Sequence, residues 1–184
     1  MISRILATID SSERNQSVFD TAIFLAKAIR ASLMLLHILS ETDPNYPILP
    51  TYAYYAVFKG NNDGIFHQKF DEYEQREAEF LRDLAQQAIA LGIDTEYAQL
   101  DGIPGWKICE AASTWSADLI LVGSCRLKGV REMLVGSVSN YVTHHAPCSV
   151  LIIRSDTDLV SYRIGSPFEK EAEAHQEQEV SNQN

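Results

Sequence analysis

The sequence has no apolar run near the roughly 18 residues needed to cross a bilayer. It also has no secretory leader pattern, because the short apolar stretch after Met1-Ile2-Ser3-Arg4 stops at Asp10. These absences predict a cytoplasmic protein with no membrane partner. Positive charge is scarce: twenty-five acidic residues against fifteen basic ones give a net charge of -10. Such a chain repels phosphate backbones at long range, which argues against nucleic-acid binding and requires any small anion to be held by a local site. Cysteines occur at 109, 125 and 148, without C-x-x-C spacing, so neither a disulfide framework nor a zinc site is indicated. The G-x-x-x-x-G-K-[ST] and G-x-G-x-x-G phosphate loops are missing, and so is the G-x-S-x-G nucleophile elbow. No catalytic residue is assigned.

What is present is a chain of 184 residues, 46% hydrophobic and 22% charged, enough for one domain with a sizeable core. The acidity is uneven. Residues 155–184 hold seven acids and two bases, and beyond Phe168 only Val180 is large and aliphatic. Such a segment buries too little apolar surface to offset the entropy of ordering, so the domain is placed at 1–154 and the remainder is read as an acidic tail, solvated or disordered. A local helix signal persists there, with Ser166, Pro167 and Glu169 at the N-cap, N1 and N3 positions.

Within 1–154, short β-branched or apolar runs alternate with stretches of helical period, the pattern of a parallel sheet covered by helices on both faces. Five strands are predicted: Arg4 to Ile9, Ser32 to Leu39, Asp94 to Leu100, Asp118 to Val122 and Ser149 to Ile153. The first, fourth and fifth are nearly continuously apolar, as strands buried on both faces should be, whereas the third is more polar and suits an edge. Four helices fit between them. The first follows Ser11 or Ser12 as cap, with Val18, Ala22, Leu25, Ala26 and Ile29 on its inner face. The second carries Phe66, Phe70, Tyr73, Phe80, Leu84, Ala88 and Leu91 and ends at Gly92. The third opens near Pro104 with Trp106, Cys109, Ala112 and Trp115 behind it, and the fourth begins at a capping Ser137. The fold class is therefore α/β, doubly wound.

Two connections are long. Residues 41–64 hold Tyr46, Tyr52, Tyr54, Tyr55 and Phe58 among three prolines, an insertion that could serve as a lid, a partner surface or simple packing. The other runs from Gly123 to Gly136, beyond the carboxyl end of a strand, where ligands of open α/β sheets sit. Its glycines allow close backbone approach, Ser137 offers a hydroxyl, and the start of the following helix favours an anion. Arg126, Lys128 and Arg131 add local positive charge. The bland alternative is an ordinary loop before a serine-capped helix.

Other residues are less informative. Neighbouring His144 and His145 point about 100 degrees apart on a helix and lack an accompanying carboxylate motif, so no metal is assigned to them. His37 lies on an apolar strand and reads as a packed, hydrogen-bonded residue. Cys125 sits beside cations that would favour its thiolate, yet an inert loop cysteine is the preferred reading over a redox sensor. Asn15-Gln16-Ser17 has the form of a glycosylation acceptor but falls in the first helix.

Four segments taken together add a family resemblance. They are Ile5-Leu6-Ala7-Thr8-Ile9-Asp10-Ser11-Ser12, then Leu35-Leu36-His37-Ile38, then Ala117-Asp118-Leu119-Ile120-Leu121-Val122-Gly123, and finally Gly136-Ser137-Val138-Ser139-Asn140-Tyr141-Val142 with His145-Ala146-Pro147-Cys148-Ser149-Val150-Leu151-Ile152. In this order and spacing the chain resembles the universal stress protein family over about residues 2–153. The resemblance implies a five-stranded parallel sheet of order 3-2-1-4-5, an adenine-nucleotide site for ATP or AMP, with Mg²⁺ accompanying ATP, and a homodimer through Ser149 to Ile153. The ATP-binding motif of that family is G-x2-G-x9-G-[ST]. Gly123, Gly136 and Ser137 match it, and Arg126 replaces its second glycine. Carried over by position, the resemblance implies that Asp10 holds the ribose hydroxyls and the Ile38 backbone the adenine. Gly123, Gly136, Ser137, Val138 and Ser139 would surround the phosphates, and Arg126 would either block the backbone approach or take a phosphate itself. The expected function is a stress-response regulatory protein with little or no turnover. The alternatives are a protein-interaction module using the insertion or tail, with an unknown protein partner, and a slow ATP hydrolase.

Overall fold

In the computed structural model, the described residues are 1–10, 15–41, 43, 45–47, 63–124 and 136–154, with backbone only for 63–66. The predicted caps Ser11 and Ser12, the Phe66 side chain, most of the aromatic insertion, Cys125 and Arg126 with their cationic neighbours, and the tail all lie outside them. The element order is β1 (Arg4–Thr8), α1 (Asn15–Ile29), β2 (Ser32–Leu39), α2 (Asp63–Ala90), β3 (Thr95–Asp101), α3 (Pro104–Thr114), β4 (Leu119–Gly123), α4 (Ser137–His145) and β5 (Ser149–Ile153). All strand pairings are parallel and the sheet order is β3-β2-β1-β4-β5, so the sequence-based expectation of fold and strand order holds.

Alternation along the strands distributes the core between two layers. Ile5, Ala7, Leu33, Leu35, Leu119 and Leu121 pack with Val18, Phe19, Ala22 and Ala26 of α1 and with Leu81, Leu84, Ala85 and Ala88 of α2. Leu6, Met34, Leu36 and Ile120 face the other way, onto Ile108 and Ala112 of α3 and Val142 of α4. Each fully buried leucine or isoleucine in these layers contributes about 1.5–3 kcal/mol. β1, β2 and β4 are nearly continuously apolar because both faces are covered. The polar β3 forms one edge, as its composition predicted, and β5 forms the other. The continuous apolar run of β5 suggested burial on both faces, but as an edge strand it is only partly buried.

The helix faces required corrections. On α1, Phe19 is buried, whereas Ile29 is 45% exposed. On α2, the buried stripe runs through Tyr73, Glu77, Leu81, Leu84, Ala85 and Ala88, while Phe80 and Leu91 are exposed. The aromatic spacing suggested a face rotated from the true one, because a carboxylate interrupts the apolar stripe at its centre. On α3, Gly105, Ile108 and Ala112 are buried, and Trp106 is about half exposed. Gly105 is needed for close approach, since a Cβ there would lie 2.7–2.9 Å from Tyr141 of α4. The turn after α2 closes as expected at Gly92, whose φ of +81° is left-handed. α4 differs from expectation at its start: Gly136 is the N-cap, no side chain caps it, and Ser137 is the first helical residue.

Candidate functional site

The carboxyl ends of β1, β2 and β4 and the first turn of α4 converge on one cavity of about 530 Å³, a volume in the range of small-molecule sites. The position follows from topology. The chain leaves β1 toward β2 with its helix on one face, while α3 and α4 cover the other, so a crevice opens beyond the strand ends where the sheet changes sides. Every site residue implied by the family resemblance that falls among the described residues lines this cavity: Asp10, Ile38, Gly123, Gly136, Ser137, Val138 and Ser139. Arg126 lies outside the described residues.

These positions are unequal chemically. Asp10 and Ser137 are exposed to the opening. Ser139 is 1% exposed and its hydroxyl donates to the Gly136 carbonyl at 3.1 Å, so it shapes the helix start. The first turn of α4 has no acidic residue and no side-chain cap, which leaves its N-H groups available to an anion. Among the described lining residues there is no lysine or arginine. Negative charge on a ligand would therefore be met there by helix N-H groups rather than by side-chain cations.

Three buried side-chain atoms at this end of the molecule, among the described residues, have no hydrogen-bond partner: Asn15 Oδ1, His37 Nε2 and Glu77 Oε2. Asn15 and His37 line the cavity. Buried polar groups are nearly always paired, which makes these three informative. The sequence reading passed over Asn15 as part of a glycosylation-like tripeptide. Its spacing from Val18, Ala22 and Ala26 was the available signal, because that spacing places it on the inner stripe of α1. Ser40, Asp43, Asn45 and Ser124, also lining residues, carried no motif.

His37 Nδ1 lies 2.7 Å from the Ile9 carbonyl oxygen, and Nε2 faces Glu77 Oε2 at 3.9 Å, with both side chains 3% exposed. Glu77 Oε1 accepts weakly from Arg76 at 3.3 Å. Asp43 accepts from the Tyr73 hydroxyl at 2.9 Å and from the Asn45 N-H at 2.8 Å. Burial, reinforced by this bond to Asp43, pushes the Tyr73 phenol well above its ordinary pKa and keeps it a donor. Tyr46 packs edge-on against Phe70 and Tyr73, with centroids 5.8 and 5.7 Å away, which fixes the start of the 41–64 segment on α2. His37, Asp43 and Glu77 thereby offer ligand atoms that all lie within 4.8 Å of one another.

The universal stress protein family model matches residues 1–154. The chain belongs to the universal stress protein family. Among similar proteins, a universal stress protein of Synechocystis sp. is 32% identical over 151 residues, covering 82% of this chain and 97% of that protein. The universal stress protein YxiE of Bacillus subtilis is 29% identical over 154 residues, covering 84% of this chain and the whole of that protein. Among solved structures, the universal stress protein UspA of Lactobacillus plantarum superposes with a TM-score of 0.65 at 25% identity, covering 83% of this chain and 98% of that one. A universal stress protein in complex with cAMP shares the fold, with a TM-score of 0.55 at 23% identity over 83% of this chain and 97% of that one. Among the described residues of this universal stress protein, no helix is long and apolar enough to cross a membrane.

Proposed function

We propose that this universal stress protein is a stress-response regulator that binds an adenine nucleotide, ATP with Mg²⁺ or AMP, as a homodimer and with little or no turnover. The observation that carries the reading is the convergence of seven motif positions, from four separate segments of the chain, on a single cavity of nucleotide size. Asp10 would accept from the ribose hydroxyls, the backbone at Ile38 would meet the adenine edge, and the uncapped first turn of α4 would receive phosphate oxygens. Arg126 would supply the cation that the described lining lacks. Little or no turnover is part of the reading because no catalytic residue is assigned by the sequence. The dimer reading rests on β5, an edge strand that leaves Leu151 37% exposed, a surface that a second copy can cover by symmetry. The domain is taken to end with β5, and the acidic residues after it to serve solubility or partners.

Identification of the small molecules released on denaturing freshly purified protein tests the assignment. ATP or AMP at near-stoichiometric amounts is expected. No released nucleotide, combined with no binding at millimolar concentration, would replace this reading with the interaction module. Sedimentation is expected to show a dimer that Leu151→Asp shifts toward monomer.

A further inference from the structure

We propose that His37, Asp43 and Glu77 form a binding site for one divalent transition-metal ion, Zn²⁺ by its donor set, in the wall of the cavity. The proposal stands apart from the nucleotide reading and does not depend on it. Its starting point is the tautomer of His37. Nδ1 lies 2.7 Å from a carbonyl oxygen, which can only accept, so Nδ1 carries the proton. In the tautomer protonated at Nδ1 alone, the lone pair of Nε2 faces Glu77 Oε2, another acceptor, at 3.9 Å. In that tautomer two buried acceptors face each other beyond hydrogen-bond distance, neither with a hydrogen-bond partner among the described residues, an arrangement that a cation between them would satisfy.

The surroundings match what metal ligands require. A ligating histidine usually donates its second ring N-H to a carbonyl or carboxylate, and ligating carboxylates are themselves held by donors. The Ile9 carbonyl orients His37 in this way. The Tyr73 hydroxyl and the Asn45 N-H orient Asp43, and Arg76 engages the Glu77 oxygen opposite the unpartnered one. The three ligands come from β2, the segment after it and the middle of α2, so their approach is set by tertiary packing. Bonds of about 2.0–2.1 Å in tetrahedral geometry place ligand atoms about 3.3 Å apart, and the 3.9 Å pair reaches that spacing by a small side-chain rotation. One imidazole nitrogen with two carboxylates suits Zn²⁺ or Mn²⁺ better than Mg²⁺ or Ca²⁺, which favour all-oxygen sets. Asp43 is only half-buried and lines the cavity together with His37, which gives the ion a route in and leaves its fourth position toward the cavity.

The test uses the full chain, stripped with a chelator and titrated with Zn²⁺ alone in the absence of nucleotide. Uptake of one Zn²⁺ per chain at micromolar concentration or tighter is expected, unaffected by millimolar Mg²⁺. Glu77→Gln and His37→Gln should each weaken it at least tenfold, whereas the double change His144→Ala, His145→Ala should leave it intact. Because His37→Gln could fail to fold, wild-type protein loaded with Co²⁺ provides a second readout: a visible absorption band of four-coordinate intensity is expected, and it should be lost in Glu77→Gln. Absence of stoichiometric uptake at 100-micromolar Zn²⁺ would overturn the proposal. So would uptake that Glu77→Gln leaves unchanged, and the facing pair would then be bridged by a proton or a water.

Discussion

The two ends of the sheet treat buried and near-surface polar groups in opposite ways. At the amino end, carboxylates are hydrogen-bonded: Asp118 Oδ2 accepts from the Ser3 N-H, the Ser3 hydroxyl and the Arg4 N-H at 2.7–3.0 Å, and Asp94 Oδ2 accepts from the Ser32 hydroxyl at 2.8 Å. Arg4 donates to the Trp115 carbonyl at 2.6 Å and stacks its guanidinium over that ring. At the carboxyl end, Asn15, His37 and Glu77 each keep a buried atom without a hydrogen-bond partner among the described residues. The first arrangement closes strands onto one another. The second leaves, among the described residues, buried groups that an added molecule or ion could satisfy, which is the expected signature of a binding site in an otherwise well-satisfied fold.

The largest effect that would sharpen this contrast concerns packing at the rim of the cavity. Gly105→Ala puts a methyl group into Tyr141 and should destabilise the protein by about 1–3 kcal/mol, lowering the melting temperature by several degrees while leaving the polar lining in place. An unchanged melting curve would mean that α3 and α4 can separate freely and that the rim is not close-packed. A smaller effect, of opposite sign, is expected at the centre of the polar cluster. Glu77→Leu removes a buried, incompletely paired carboxylate at the cost of a contact with the 60% exposed Arg76 at 3.3 Å, which is of little worth, and of the approach to His37 Nε2, which at 3.9 Å is beyond hydrogen-bond distance. Metal-free protein should gain about 1 kcal/mol, part of the desolvation cost of the carboxylate oxygen that has no hydrogen-bond partner among the described residues, seen as a higher melting temperature. A fall instead would show that Glu77 serves as a structural partner, and the contrast between the two ends would fail.

The smallest effect lies at the amino end and is confined in pH. Hydrogen bonds from the Ser3 backbone, then its hydroxyl, then the Arg4 backbone hold the Asp118 carboxyl below the usual carboxylate range. A depressed pKa stabilises the fold above the unfolded value, near 3.9, and that contribution disappears as pH falls through the folded value. Asp118→Asn should therefore melt below wild type at pH 7, and the gap should close on acidification below about pH 4. A gap independent of pH would mean that the bonds to Asp118 do not depend on its charge.

Much of this was legible in the sequence, for physical reasons that also explain the misses. Strands buried on both faces must be apolar throughout, so Ile5 to Ala7 and Leu119 to Val122 announce themselves, and a polar strand such as Thr95–Asp101 can only be an edge. The motif positions Asp10, Gly123 and Gly136 to Ser139 are far apart in sequence but come together because parallel strands direct all their carboxyl ends to one side. The inner face of α2 was misread because periodicity counts apolar residues, and Glu77 occupies a core position with a carboxylate. Asn15 was missed for the same reason. Polar residues in a core look like surface residues until the neighbouring elements are in place. The pairing of His37 with Glu77 joins residues forty positions apart, on a strand and a helix, and no local pattern encodes it.

Thermal unfolding with saturating ATP or AMP tests the central claim most directly, that the convergent cavity holds an adenine nucleotide. Ligand at about 100 times its dissociation constant adds about 2.7 kcal/mol to a native state that alone binds it. Wild-type protein should accordingly melt several degrees higher, and Asp10→Ala, which removes the carboxylate proposed to meet the ribose, should lose most of that shift. No shift for wild type with either nucleotide at millimolar concentration would contradict the account.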